Sequence, residues 1–595
     1  MPNIKKFGNK PEYFALILFV AAYCLIAVFH EPWFDEAQAW QIAKCSDLRE
    51  MLFVLPHYEG HPPLWWMLLA IPAKLGVPFE IGLKTIGLLI SGTSAALLIF
   101  RSRLPRIVRL LLPFSYFFFY QYGVIVRPYC LMLLCLLLLG MCLPRRKERP
   151  WQVFGLLLLL CLTSAYGILL AGGISICIVW EIFREKGTKA LVRELLTDPR
   201  TQSLLILLVA ALLLIAEILP KSDTYVPSEN AANPFWLCLL CALLTFPGEC
   251  FLTFSSWFSI DTLLLQCVTI PAGELAAFCL IGIVLWLVLI SAGSREGLKF
   301  LLVPYILFAV FSAKVHFSSH HLGIVFMFIL FWAEFTSRDT SRFEIGIALR
   351  NRLARSEHDQ KLLRWVYLLV CGSCMVIPLV WTLCAAVNDI RLEYSYGRRA
   401  SAFLTEHSLT DLNIISAWKT GGSLLKQAEG HDDYINPYLL GTPVVINAYF
   451  QENICENLNF GEDSQAFVYF KMPTYSQSRA VVKQWEENGI PDVILGKSDL
   501  SEVYGDRITY DDYALVEKLD INYTWKMKIR EGSFPVFVRK ELMEAHNLQP
   551  LADESYSLIV NGLQITDEMR EAYENGVPID DVLKPYLDVM LGTDQ

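Results

Sequence analysis

Beyond Asp389 the chain has no long apolar run, and only one of its 16 cysteines, Cys455, lies there. The first absence argues against a membrane anchor in that part. The second excludes a disulfide framework or a Cys-x-x-Cys zinc pattern for it. Neither a nucleotide-binding motif nor a metal motif is visible in the tail. No internal repeat of the inverted-transporter kind is visible anywhere. The first apolar segment, Tyr13 to Phe29, runs into His30-Glu31-Pro32-Trp33 without the small-residue cleavage site of a signal peptide, so it reads as a retained helix.

What the chain does have is apolar residues ahead of that point. Over 595 residues the hydrophobic share is 54% and the mean hydropathy +0.41, which points to a polytopic membrane protein. The other cysteines fall within or beside apolar segments, where Cys behaves as a small hydrophobe. Counting from the first helix, the segments near 81–100, 110–123, 124–142, 151–166, 168–183, 204–219, 276–290, 300–311, 322–335 and 366–386 give about eleven spans. Two more follow if the ambiguous region Phe235 to Ile270, interrupted at Pro247-Gly248-Glu249, crosses twice. Lys5, Lys6 and Lys10, then Arg101 to Arg109, Arg145 to Arg149, Arg184 to Arg200 and Arg338 to Arg364, put positive charge in alternate loops. The positive-inside rule makes those loops cytoplasmic, and it turns the loop 30–80 and the tail outward.

Directly after the first helix stands Glu31-Pro32-Trp33-Phe34-Asp35-Glu36, followed by His57-Tyr58-Glu59-Gly60-His61-Pro62-Pro63-Leu64-Trp65-Trp66. An Asp-Glu pair at a helix exit is either solvated loop charge or a site. Trp33, Phe34, Trp40, Trp65 and Trp66 are expected at headgroup level, and Tyr116 to Tyr122 as a lipid-facing aromatic belt. The outward loops also bring Arg127, Lys314, His316, His320 and His321. Acids and bases gathered at one membrane boundary are a functional hypothesis, because placing them there costs desolvation. The chemistry that needs both signs is sugar transfer from a lipid phosphate: cationic groups hold the phosphate and one carboxylate deprotonates the attacking hydroxyl. His57 and His61 stand at i, i+4 and could hold a divalent metal, but Gly60-His61-Pro62-Pro63 breaks a helix there, which favours hydrogen-bonding roles.

Asp35-Glu36, the His-Tyr-Glu-Gly-His-Pro-Pro-Leu run, Arg127-Pro128-Tyr129 and the late histidine loop resemble the GT-C glycosyltransferases. The group in view is the family 39 type, with protein mannosyltransferases and the bacterial aminoarabinose lipid A transferase. The resemblance covers about the first 385 residues and is strongest over 31–66. It implies a polyprenyl-phosphate-sugar donor, an acceptor glycan, lipid or protein, inversion at the anomeric carbon and a multi-pass plasma-membrane location. By the same match Asp35 is the base, and Glu36 positions the acceptor or a cation. Arg127, Lys314, His320 and His321 hold the donor phosphate, and His57, Tyr58, Glu59, His61 and Tyr129 line the substrate. The late loop departs from the family in carrying His320-His321 where Arg-Tyr is frequent.

The resulting expectation is a GT-C-like helical membrane domain over 1–386 and an extracytoplasmic α/β domain over 387–595, with no nucleic-acid partner. In the tail, Ser401 to His407 and Arg479 to Asn488 read as helices. Leu412 to Ala417, Pro443 to Ala448, Ala466 to Phe470, Pro491 to Leu495 and Phe534 to Val538 read as strands. The rival reading is a transporter or lipid flippase, which would set its charges near mid-membrane on broken helices.

Overall fold

The computed structural model describes residues 10–187, 197–225, 234–252, 272–353, 356–418, 431, 433–437, 441–458, 469–551, 559–560 and 563–564. Its helices begin with α1 (Lys10–Phe29), α2 (Phe34–Cys45), α3 (Leu64–Lys74) and α4 (Phe79–Arg101). Next come α5 (Tyr129–Cys142), α6 (Pro150–Cys161), α7 (Ala165–Lys186), α8 (Pro199–Ile218), α9 (Phe235–Leu244) and α10 (Phe246–Phe251). The bundle closes with α11 (Ala272–Ala292), α12 (Lys299–Lys314), α13 (Leu322–Ser337) and α14 (Glu357–Arg391).

Among the described residues, six helices are long and apolar enough to cross a membrane: α1, α4, α7, α8, α14 and most of α11. Other expected spans are shorter or broken helices, so the number of crossings is not set by helix length alone. The region 253–270 lies outside the described residues.

The expected third span is the clearest departure. Residues 106–124 form only short pieces, Arg106–Leu111, Tyr116–Phe119 and a wide π turn at Tyr120–Val124. Tyr116 to Tyr122 are not a lipid-facing belt; they are buried in the bundle core. Irregular backbone is tolerated at such depth when protein surrounds it and partners satisfy its polar groups. Here the Tyr116 hydroxyl donates to Gln121 (3.1 Å), Tyr120 to Asp389 (2.8 Å) and Tyr122 to the His320 carbonyl (2.5 Å).

The aromatic residues after α1 are corrected in the same sense. Trp40, Trp65 and Trp66 are buried on α2 and α3, in a core shared with Leu83, Val126, Val444, Leu458 and Tyr469. Their rings pack on protein, including segments from beyond α14, so headgroup contact is closed to them.

After α14 come α15 (Gly397–Glu406), β1 (Ile414–Ser416), α16 (Gly441–Asn447), α17 (Tyr475–Glu487), β2 (Val493–Leu495), β3 (Tyr513–Trp525) and β4 (Lys528–Arg539). The sheet order is β1-β2-β4-β3, with β1 parallel to β2 and the other pairs antiparallel. The expected strand at 443–448 is the helix α16. Val444, Val445 and Ile446 are all buried, and the Val444 carbonyl accepts from Gln41 on α2, so tertiary packing overrides the β preference of the branched side chains. The expected strand Ala466 to Phe470 and the acidic end after Pro550 fall mostly outside the described residues. A bidentate pair, Arg398 to Glu80 at 2.9 and 2.5 Å, and a Ser395 hydroxyl donating to the Pro32 carbonyl at 2.9 Å, tie the start of this region to α4 and to the α1–α2 loop.

The α9–α11 crossing leaves no room for a side chain at Gly282, where an added Cβ would meet the Leu244 carbonyl oxygen at 1.5 Å. Gly282→Leu is therefore expected to destabilise the protein by about 2 kcal/mol or more, read as a lower thermal unfolding temperature in detergent. Gly155→Leu, where nothing lies within 4 Å, serves as the control and should leave it unchanged.

Candidate active site

Trp33 is the N-cap of α2, so Asp35 and Glu36 fall in the first turn, where the helix dipole favours negative charge. Successive residues on a helix point about 100° apart. The two carboxylates accordingly part company. The Asp35 side chain is 31% exposed, whereas that of Glu36 is fully buried.

Both Glu36 oxygens are taken up inside the protein. Oε1 accepts the Val126 N–H at 2.7 Å and lies 3.5 Å from Lys84 Nζ. Oε2 accepts the Trp33 N–H at 3.2 Å and lies 3.8 Å from His30 Nε2. Burial alone would raise the Glu36 pKa, but Lys84, His30 and the Val126 amide outweigh it and hold the carboxyl below its ordinary value. The other face of His30 donates from Nδ1 to Asp389 at 2.9 Å. Burial again opposes the charge, and Asp389 overcomes it, so the imidazole pKa is raised.

Asp35 meets Arg127, with Nη2 to Oδ2 at 2.6 Å. The guanidinium lies 5.2 Å from the ring centres of both Trp33 and Tyr129, within cation–π range. It is almost fully buried, yet its Nη1 has no hydrogen-bond partner among the described residues. The same is true of Trp33 Nε1, His61 Nδ1 and the Tyr129 hydroxyl. Buried polar groups are normally satisfied, so four unsatisfied ones beside one ion pair mark a place for a polar ligand.

The histidines complete that neighbourhood. His320 packs edge-on to Trp33 at 5.8 Å, and His321 to Tyr129 at 5.7 Å. The Ser318 N–H donates to His321 Nδ1 at 3.1 Å, which puts the proton of the neutral ring on Nε2. Burial first, then the charges around them with Arg127 among these, lowers the pKa of His61 to about 4 and those of His320 and His321 well below the usual value. These rings are neutral at pH 7, and each can donate one N–H.

Other residues singled out in the sequence go elsewhere. The His57 Nδ1–H donates to the Leu219 carbonyl at 2.8 Å, and Tyr58 donates to Asp223 at 3.1 Å, so both pin the end of α8 and the loop after it. Lys314 is exposed at the C-terminal end of α12, and no contact among the described residues joins it to Arg127. Glu59 stays near the site: it accepts from Gln38 at 3.3 Å and from the Phe470 N–H at 3.4 Å. Among the described residues no three His, Cys, Asp or Glu side chains gather as a metal site.

Lys84, His30 and Asp389 were not singled out, although a lone lysine in the apolar run of α4 is a legible signal. Trp33 was expected at headgroup level rather than in a site, and Tyr166 was not singled out. The Tyr166 hydroxyl donates to the His316 carbonyl at 2.6 Å and lies 3.4 Å from His321 Nδ1. No protein-family model, curated protein or solved structure matches the chain.

Burial raises the Glu59 pKa to about 8; the Phe470 amide works against this and Asp35 adds to it. A carboxyl whose pKa is higher folded than unfolded contributes stability that is fully present below the unfolded value and is lost as pH rises toward 8. Glu59→Gln should therefore make the decline of unfolding temperature between pH 5 and 8 shallower, by a few degrees at the upper end. A thermal denaturation series across that range measures it, and parallel curves for the two proteins would contradict the burial of Glu59.

Proposed function

We propose that this chain is a GT-C-like membrane glycosyltransferase of about 11 to 13 spans, moving a sugar from a polyprenyl-phosphate donor to an acceptor hydroxyl on the outer face of a plasma membrane. The observation that carries the reading is the part-exposed Asp35 against buried Arg127, with polar groups of Arg127, Trp33, His61 and Tyr129 that have no hydrogen-bond partner among the described residues around the pair. Six apolar helices of spanning length support a membrane location, and with it a lipid-borne donor.

In this mechanism Arg127, His61, His320 and His321 hold the donor phosphate, the first by charge and the histidines as neutral N–H donors. Asp35 removes the proton of the acceptor hydroxyl. The hydroxyl oxygen then attacks the anomeric carbon, and the bond from that carbon to the phosphate oxygen breaks. Its electron pair leaves with polyprenyl phosphate. A phosphate leaving group is already acidic, so positive charge beside it suffices and a second carboxylate is unnecessary, unlike ordinary glycoside hydrolysis. Glu36 is a positioning residue: with both oxygens engaged internally, it sets the loop that carries Asp35.

The test is transfer from radiolabelled polyprenyl-phosphate hexoses and pentoses by the purified full-length protein, offered a panel of glycan, glycolipid and hydroxyl-peptide acceptors. Asp35→Asn is expected to lower turnover by about 10²- to 10⁴-fold while the protein stays folded. Arg127→Ala should lower kcat/KM about 10²-fold or more. Unchanged turnover in Asp35→Asn removes Asp35 as the base. Lipid movement across vesicles without any sugar transfer moves the reading to a flippase.

A further inference from the structure

Four ionisable side chains meet inside the protein: Lys84 of α4, Glu36 of α2, His30 just past α1 and Asp389 near the end of α14, all of them buried. They form a chain. Lys84 Nζ lies 3.5 Å from Glu36 Oε1, Glu36 Oε2 lies 3.8 Å from His30 Nε2, and His30 Nδ1 lies 2.9 Å from Asp389 Oδ2. Neutral groups close both ends: Lys84 donates to the Val124 carbonyl at 2.9 Å, and Tyr120 donates to Asp389 Oδ1 at 2.8 Å.

The charge of this chain depends on the ring in its middle. Two carboxylates face one ammonium, so a neutral imidazole leaves a negative charge uncompensated in the interior, which is costly. An imidazolium brings the sum to zero. The ring geometry requires the same form. A neutral imidazole carries a proton on one nitrogen and a lone pair on the other. With the proton on Nδ1, the Nε2 lone pair faces Glu36; with the proton on Nε2, the Nδ1 lone pair sits 2.9 Å from Asp389. Nε2 has no hydrogen-bond partner among the described residues that would hold a lone pair in place. Only the doubly protonated ring turns an N–H toward each carboxylate.

The other groups around His30 do not supply the missing charge. The Tyr394 ring covers it at 4.5 Å, and the Tyr120 ring stands edge-on at 5.8 Å. Arg398 of α15 reaches the His30 main-chain carbonyl at 3.4 Å, and its guanidinium is paired with Glu80. Glu31, next in the chain, is buried as well; burial, against the pull of Arg398, pushes its carboxyl up to about 8, so at pH 7 it is mostly neutral.

We propose that His30 is a positioning residue that works as an imidazolium, its charge joining Glu36 to Asp389 and so holding the α1–α2 loop, with Asp35 on it, against the end of α14. This rests on the reading of Asp35 as the base. Loss of the ring proton turns a lone pair toward one carboxylate and frees the loop, so turnover falls as pH rises through the titration of the ring. Because the pKa of His30 is raised by folding, the stability it contributes is fully present below the unfolded value and is lost as pH rises through the folded one.

Three measurements on the full-length protein in nanodiscs test it. In the first, imidazole nitrogen shifts are recorded with ¹⁵N-labelled histidine, the His30 signals being those absent from His30→Lys or His30→Gln. At pH 7 both ring nitrogens of His30 are expected to be protonated; a neutral ring, with the proton on Asp389 instead, overturns the proposal. In the second, the unfolding temperature of wild type relative to His30→Gln is expected to fall between pH 6 and pH 9, and a constant difference overturns it. The third compares turnover across that range, with the donor and acceptor that the panel yields. His30→Gln should lower kcat about 10²-fold at pH 7 with the donor KM little changed, the effect of a misplaced base. His30→Lys, which keeps a cation, should recover at least about tenfold of that loss and lack the alkaline fall seen at the His30 titration. A His30→Lys no better than His30→Gln, or one that keeps the fall, overturns it. The first two arms read the same whether or not sugar is transferred, which separates failure of the His30 assignment from failure of the transferase reading.

Discussion

A carboxylate with no exposure must find its partners within the protein, and Glu36 finds the Val126 and Trp33 amides, Lys84 and His30. Each partner comes from a different place: the segment before α5, the cap of α2, the second turn of α4 and the residue just past α1. Removing one member of such a buried set leaves an uncompensated charge, commonly destabilising by about 3–5 kcal/mol. The set therefore holds the α1–α2 loop to one geometry. Asp35, next door, is carried by that loop and meets Arg127 at 2.6 Å.

The same network extends outward. His30 bridges Glu36 to Asp389 near the end of α14, and Asp389 accepts from Tyr120 in the broken segment. Tyr394, just beyond α14, covers His30 and meets Tyr523 on β3. The start of the region after α14 grips the same loop, with Arg398 donating to the His30 carbonyl at 3.4 Å and Ser395 to the Pro32 carbonyl at 2.9 Å. The sheet region and the bundle thus share one set of contacts around Asp35.

How much of this was legible depends on the kind of signal. The helices α1, α4, α8 and α14 were visible because a long apolar run has few alternatives. The burial of Tyr116 to Tyr122 was not, because aromatic residues look alike to composition whether they face lipid or a protein core. The Asp35-Glu36 pair stood out in the sequence, but nothing in a dipeptide tells which carboxylate turns inward; the capping geometry of Trp33 and the Val126 amide decide that. Lys84 was overlooked as one charge in an apolar run. The β3–β4 hairpin was read only in part, as Phe534 to Val538, although Leu519, Ile521, Tyr523 and Trp525 alternate with polar residues in the period-two pattern of a strand. Lys314 was grouped with Arg127 by loop order, and loop order says nothing about distance.

The most direct measurement is equilibrium binding of a polyprenyl phosphate, without sugar or acceptor, to the purified full-length protein and to Arg127→Ala. Saturable binding to wild type, weakened at least about tenfold in the variant by loss of a buried charge-assisted contact, is the expected result. Equal affinity for the two proteins would contradict the proposed lipid-phosphate site at Arg127, and with it the proposed transferase built around Asp35.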